Sequence, residues 1–187
     1  MATKKTSTAN FTVPGLSIKE GHQVATILQD RLHALNDLQL TLKHAHWNVV
    51  GRDFIGVHTM LDPQIELVRG MIDETAERIA TLGRSPNGLP GALVRDRSWD
   101  DYSLGRAATL EHLAALDRVY DGVVSSHRDA IAATGELDPV TEDMLIGHTA
   151  KLELFQWFMR AHLENDAGVL SNTAAPTEKG AAGKAKK

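Results

Sequence analysis

His46, His58, Asp62, Asp73 and Glu77 have the side-chain types and the spacing for metal chemistry. Two imidazoles with several carboxylates suit iron, manganese or zinc better than calcium or magnesium. The chain has no cysteine, which excludes disulfides, zinc–thiolate sites and thiol nucleophiles. With oxygen ligands in the majority and no thiolate, iron is the favoured ion, with other divalent metals able to occupy the same donors. The competing reading is plain: the five residues are polar surface on two amphipathic helices. Two details argue against it. The stripe Asp62, Glu66, Arg69, Asp73, Glu77 is mostly acidic, and like charges one turn apart repel unless a cation sits among them. His46 and Trp47 also arrive just before a tight connection, which brings them back towards His58.

The elements that must position these residues read as long helices. "SIKE" (17–20) is a capping box, with Ser17 as N-cap and Glu20 three residues on. Val24, Ile27, Leu28, Leu35, Leu38 and Leu42 then recur at helical spacing, predicting a helix to about residue 49 that Gly51 ends. A second helix is expected over 54–82, with Pro63 inside it. Residues 83–101 are rich in Gly and Pro and read as a long crossover with a short helix near 96–100. A third helix is expected over 103–133. A fourth follows to about residue 167, with Asp138 as N-cap and Pro139 at its first position. Four long helices and one long mid-chain crossover describe an all-α, ferritin-like four-helix bundle. The expected organisation is an N-terminal flexible segment (1–16), the bundle (17–170) and a disordered Lys-rich C-terminal tail (171–187).

An antiparallel hairpin turning near residues 50–51 puts His46 opposite residue 55, within reach of His58, with Asp62 one turn further. Asp73 and Glu77 form a second cluster. Asp62 and Asp73 are separated by roughly 16 Å along one helix, so the clusters cannot meet within one chain. Two copies packed antiparallel about a two-fold axis would join them, once at each end. None of the nine histidines has a Glu three residues before it, so the usual Glu-x-x-His di-iron pattern within one bundle is absent.

These residues resemble the mini-ferritin family Dps, the DNA-binding proteins from starved cells. "HWNVVGRDFIGVHTMLD" (46–62) is similar to its first signature and "IDETAERIATLGRSP" (72–86) to its second, with Thr75 at a position expected to be aliphatic. "FTVPGL" (11–16) and "ELFQWFMRAHLE" (153–164) are similar to actinobacterial members, and the resemblance spans residues 11–168. It implies a hollow homo-dodecamer built from two-fold dimers. It also implies ferroxidase sites in which His46, His58 and Asp62 of one subunit meet Asp73 and Glu77 of another. Such proteins oxidise Fe(II), with hydrogen peroxide as the usual oxidant, store ferric mineral, and protect DNA. The expected location is cytoplasmic and nucleoid-associated. Trp47, beside a ligand, either absorbs a stray oxidising equivalent or is a packed interface aromatic. The alternative function is a structural DNA-compacting cage with little ferroxidase activity.

Charge is unevenly placed. The net charge is −4; with +3 on residues 173–187 and +2 on residues 1–10, the body carries −9. Lys179, Lys184, Lys186 and Lys187, assisted by Lys4 and Lys5, are the candidate contacts to DNA phosphates; a merely solubilising tail is the other reading. No apolar run is long enough for a membrane span, and the lysines near the N-terminus have no apolar stretch behind them, so no membrane partner and no secretory leader are expected. Glu136, Asp138, Glu142 and Asp143 either line an entry pore for iron or are a solvated helix start. Glu66 is a candidate for a transient second iron, and Arg69 for pairing with nearby carboxylates. The remaining seven histidines read as structural or exposed, and Phe155, Trp157 and Phe158 as core.

Overall fold

The first long helix, α1 (Ile18–Asn48), begins where its cap dictates. The Glu20 N–H donates to Ser17 Oγ at 3.2 Å and the Ser17 N–H to Glu20 Oε2 at 2.8 Å. In this computed structural model residues 9–186 are described; Lys4, Lys5 and Lys187 lie outside the described residues. α1 stops short of Gly51, whose φ of 93° is open to glycine and costly for other residues. α2 (Phe54–Thr81) then runs back along α1, with Pro63 inside it. α4 (Thr109–Gly135) and α5 (Pro139–Leu163) form the second hairpin, and α1 also packs on α4. Leu28, Leu35, Leu38 and Leu42 of α1 are fully buried at helical spacing, each worth roughly 1.5–3 kcal/mol. They meet Leu61, Val68 and Ile79 of α2, Leu113 and Leu116 of α4, and Leu145 and Leu152 of α5 in two contiguous cores. The result is the expected four-helix bundle. No helix among the described residues is long and apolar enough to cross a membrane.

The long connection from α2 to α4 returns along the bundle. The short strand β1 (Val49–Val50), just after α1, pairs in parallel with β2 (Ala107–Ala108), just before α4. Side chains of α1 pin the crossover. Asp37 accepts from Arg97 Nη1 at 3.1 Å and from Trp99 Nε1 at 2.8 Å, and the Gln29 amide bonds both the N–H and the carbonyl of Asn87.

Four boundaries differ from the sequence reading. The short crossover helix is α3 (Pro90–Asp96), not 96–100. Pro90 is preset for a first helical turn, and Arg97 leaves the helix extended, reaching Asp37 and Asp101. α4 starts at Thr109 rather than 103, because residues 107–108 are held extended against β1. α5 ends at Leu163 rather than 167, where Glu164 turns extended and bridges to Leu170. The largest correction concerns residues 171–187, expected to be disordered. Residues 178–185 form α6 (Glu178–Ala185), capped by Thr177 Oγ1, with Ala181, Ala182 and Ala185 buried against α4. Asn172, also buried, donates to Asp117 Oδ2 at 2.8 Å and so ties the C-terminal segment to α4.

A charge at the α6 contact should release it. Ala181→Asp would bury an unpaired carboxylate. Hydrogen exchange should show reduced protection over residues 172–186 with the bundle intact; unchanged protection would mean α6 is not held through that face.

Candidate metal centre

The connection at residues 49–53 is short, and both its ends matter for the site. Gly51 and Asp53 take positive φ, which reverses the chain within five residues and fixes the register between the last turn of α1 and the first turns of α2. His46 and His58 then stack, with ring centroids 3.6 Å apart and planes 25° from parallel. Each imidazole is oriented by the other residue's main chain. His46 Nδ1 lies 3.0 Å from the His58 carbonyl, and His58 Nδ1 lies 2.9 Å from the His46 carbonyl. A carbonyl only accepts, so each Nδ1 carries the proton and each Nε2 keeps its lone pair for another partner. This is how a protein presents imidazole to a metal. His46 is buried, His58 is half-buried, and the Phe54 ring lies 5.0 Å from that of His58.

Asp62 sits one turn beyond His58, with Oδ1 3.4 Å from His46 Nδ1. The same oxygen accepts from Lys43 Nζ at 3.1 Å. That hydrogen bond, with smaller contributions from His46 and His58, holds the Asp62 carboxyl below its usual range. The motif pattern alone does not single out Lys43, although it lies three residues before His46 and so on the same helical face.

Asp73 and Glu77 are exposed on α2, and their carboxylates have no hydrogen bond or ion pair among the described residues. The structure therefore sets His46, His58 and Asp62 near one another, without aiming all three at one point, and leaves Asp73 and Glu77 apart. Among the described residues, no three histidine, aspartate or glutamate side chains converge to hold a metal ion. Trp47 and Ile55, close to the pair in the chain, stand exposed, as do Leu40 and Leu67 further along α1 and α2. Trp47 is 71% exposed, so it is not packed within its own chain.

Residues 25–169 match the model of the ferritin-like domain family. The chain is 58% identical to the DNA protection during starvation protein of Mycolicibacterium smegmatis, over 95% of this chain and 97% of that one. This chain belongs to the Dps branch of the ferritin-like family. It is also 53% identical to the fine tangled pili major subunit of Haemophilus ducreyi, over 86% of this chain and 85% of that one. Its structure superposes on Mycobacterium smegmatis Dps with a TM-score of 0.90, covering 94% of this chain and 99% of that one. Against DpsA14 from Streptomyces coelicolor the TM-score is 0.86 at 56% identity, covering 88% and 98% of the two chains.

Within this Dps chain the other candidates divide clearly. Thr75, the departure from the family motif, is fully buried, and its hydroxyl donates to the Met71 carbonyl at 2.7 Å, which satisfies it. Arg69 lies 4.0 Å from Glu66, both on the surface. Asp138 is buried and accepts from Arg78 Nη2 and the Thr141 hydroxyl, while Glu136 and Asp143 are exposed and Glu142 half-buried. His33, His112, His127 and His148 are buried; burial pushes His127 down to about 3, so it is neutral in the folded protein. Phe155 is core as expected, whereas Trp157 is 59% exposed and is not. The lysines also divide. Lys184 Nζ donates to the Thr173 carbonyl at 2.6 Å and Lys186 pairs with Glu111 at 2.9 Å, while Lys179 is exposed.

Removing the lysine should move the neighbouring acid. In Lys43→Met the Asp62 carboxyl should titrate at higher pH than in the parent, towards the ordinary aspartate value of 3.8. Carboxyl NMR titration reads this directly, and an unmoved midpoint would show that Lys43 does not hold Asp62.

Proposed function

We propose that this protein is a ferroxidase and iron-storage cage, a homo-dodecamer built from two-fold dimers. It oxidises Fe(II), with hydrogen peroxide as the oxidant, keeps the ferric mineral inside, and binds DNA non-specifically. The observation that carries the reading is the His46–His58 pair, whose reciprocal main-chain hydrogen bonds through Nδ1 leave both Nε2 lone pairs for another partner, with the Asp62 carboxylate 3.4 Å from His46 Nδ1. Asp73 and Glu77, uncommitted on the same helix, supply the missing anionic oxygens when a second chain packs antiparallel on the exposed Trp47, Ile55 and Leu67 surface. Hard carboxylate ligands favour Fe(III) over Fe(II), which drives oxidation. Two Fe(II) ions give one electron each to one hydrogen peroxide, which takes up two protons and leaves as two waters, so no hydroxyl radical is released. Lys43 occupies the cationic position beside Asp62 before iron arrives and must give way, or share the carboxylate, when it does. The family membership and the DNA-protection names of its relatives support the same reading.

The deciding experiment is the rate of Fe(II) oxidation by hydrogen peroxide in the assembled parent and in an Asp73→Asn/Glu77→Gln variant that still assembles. A fall of about tenfold or more, at least ~1.4 kcal/mol in barrier, is expected. Equal rates would return the acidic stripe to a solvated face and leave the DNA-compacting cage as the better reading.

For DNA, the tail contributes Lys179 from its docked position, and Lys184 and Lys186 where phosphates outcompete Thr173 and Glu111; Lys4, Lys5 and Lys187 add to these in the proposal. The interaction would be electrostatic and strongly salt-dependent, multiplied by twelve tails on one particle. Truncation before Thr177 should weaken DNA binding and shrink the slope of log affinity against log salt by ~0.9 for each phosphate that is no longer neutralised. An unchanged affinity and slope would remove the tail from DNA binding.

A further inference from the structure

Further towards the start of α1 than the His46–His58 pair, α1, the crossover and α4 flank a partly open cavity of about 630 Å³, with Thr177, Glu178 and Lys179 at the start of α6 forming part of its wall. Ligand sites for small molecules fall at roughly 300–1,000 Å³ and are mostly apolar with a few placed polar groups. This cavity has that character. Ala34, Leu38, Val119 and Val123 line it, together with the rings of Trp99 and Tyr102.

Its charged groups are unequally satisfied. Asp37 accepts from Arg97 and from the Trp99 N–H, the same Arg97 also pairs with Asp101, and the Glu178 carboxylate accepts both the N–H and the hydroxyl of Ser103 at 2.7 Å. Asp100 and Lys179, both exposed, are opposite charges on the lining. Arg31 is different. It donates to Ser126 Oγ and forms no ion pair among the described residues. Burial lowers its pKa, opposed by the charges of Asp30 and Asp129, which stand outside ion-pair distance. A guanidinium taken partly out of water beside an apolar cavity, with donors to spare, favours an anion there.

We propose that this cavity binds a small amphipathic anion, an apolar or aromatic body with one carboxylate or sulfonate head, and that Arg31 holds the head. Trp99, Tyr102 and the aliphatic wall hold the body. The crossover forms one wall through contacts made by Asp37, so the site exists only because the chain returns along α1. Nothing in this proposal involves the iron ligands, and iron oxidation should be the same with the cavity filled or empty.

The probe is anilinonaphthalene sulfonate, added to the assembled full-length protein and followed by its fluorescence, with octanoate and octanol as competitors. Saturable binding of one probe per chain is expected, with octanoate displacing it at least about tenfold better than octanol. Arg31→Met should erase the preference for octanoate. Gly122→Leu should abolish probe binding, because a Cβ at Gly122 meets nothing within 4 Å and the longer side chain grows into the cavity. Circular dichroism and particle size establish that both variants fold and assemble, and Arg31→Met keeps the test alive if Gly122→Leu does not. The proposal is overturned by absence of saturable binding, by binding that survives both substitutions, or by octanol competing as well as octanoate. It is also overturned if binding appears only after residues 1–8 are removed, since the occupant would then be the chain's own N-terminal segment.

Discussion

The reciprocal hydrogen bonds between His46 and His58 depend on a single constraint, the register of α1 against α2. Residues 49–53 are too few to allow slack, and the positive φ values at Gly51 and Asp53 select one path for the turn. A shift of one residue in α2 would rotate His58 by about 100° and break both imidazole–carbonyl bonds together. Long leucine-lined faces on both helices hold the same register over their whole length, so the packing of the bundle and the orientation of two side chains at one end are the same problem solved once.

That register also decides what is left over. The inward faces of α1 and α2 are consumed by the core, and exposed Trp47 and Ile55 flank the turn next to the histidines in the chain, with Leu40 and Leu67 exposed further along the two helices. In the proposed assembly, apolar side chains next to an incomplete ligand set are covered by another chain. In the proposed dimer the burial of that surface would provide the association energy, and the carboxylates of Asp73 and Glu77 would come along at fixed distance on the same rigid helix. Binding energy and chemistry would then share one interface.

The crossover and the C-terminal segment obey a different logic. Neither has a long apolar face, and both are held by polar anchors placed on the bundle: Asp37 for Arg97 and Trp99, Gln29 for Asn87, Asp117 for Asn172, Glu111 for Lys186. Small residues complete the attachment in α6, where alanines allow close approach to α4. Because these anchors are ion pairs and hydrogen bonds, several of them at the surface, they are weaker and more salt-sensitive than the core. The basic residues proposed for DNA therefore sit on the part of the molecule easiest to release.

Much of the fold and the clustering of His46, His58 and Asp62 are legible in the sequence. Helical periodicity, the Ser17–Glu20 cap, Gly51 and Pro139 locate the four long helices, because those signals are local and act through the backbone of the residues that carry them. The spacing of His46, His58 and Asp62 across a tight turn is readable for the same reason, as is the impossibility of joining them to Asp73 and Glu77 within one chain. What the sequence could not determine depends on partners far away in the chain. Residues 107–108 look helical alone but are extended because β1 lies beside them, and an Ala-, Gly- and Lys-rich tail looks disordered until α4 offers it a surface. Trp157 reads as core by type, yet the rotation of α5 turns it outward. Lys43 became part of the site only when α2 carried Asp62 to within 3.1 Å of it. Local geometry is written in neighbouring residues; tertiary contact decides which of two acceptable local states has its hydrogen bonds and its apolar surface satisfied.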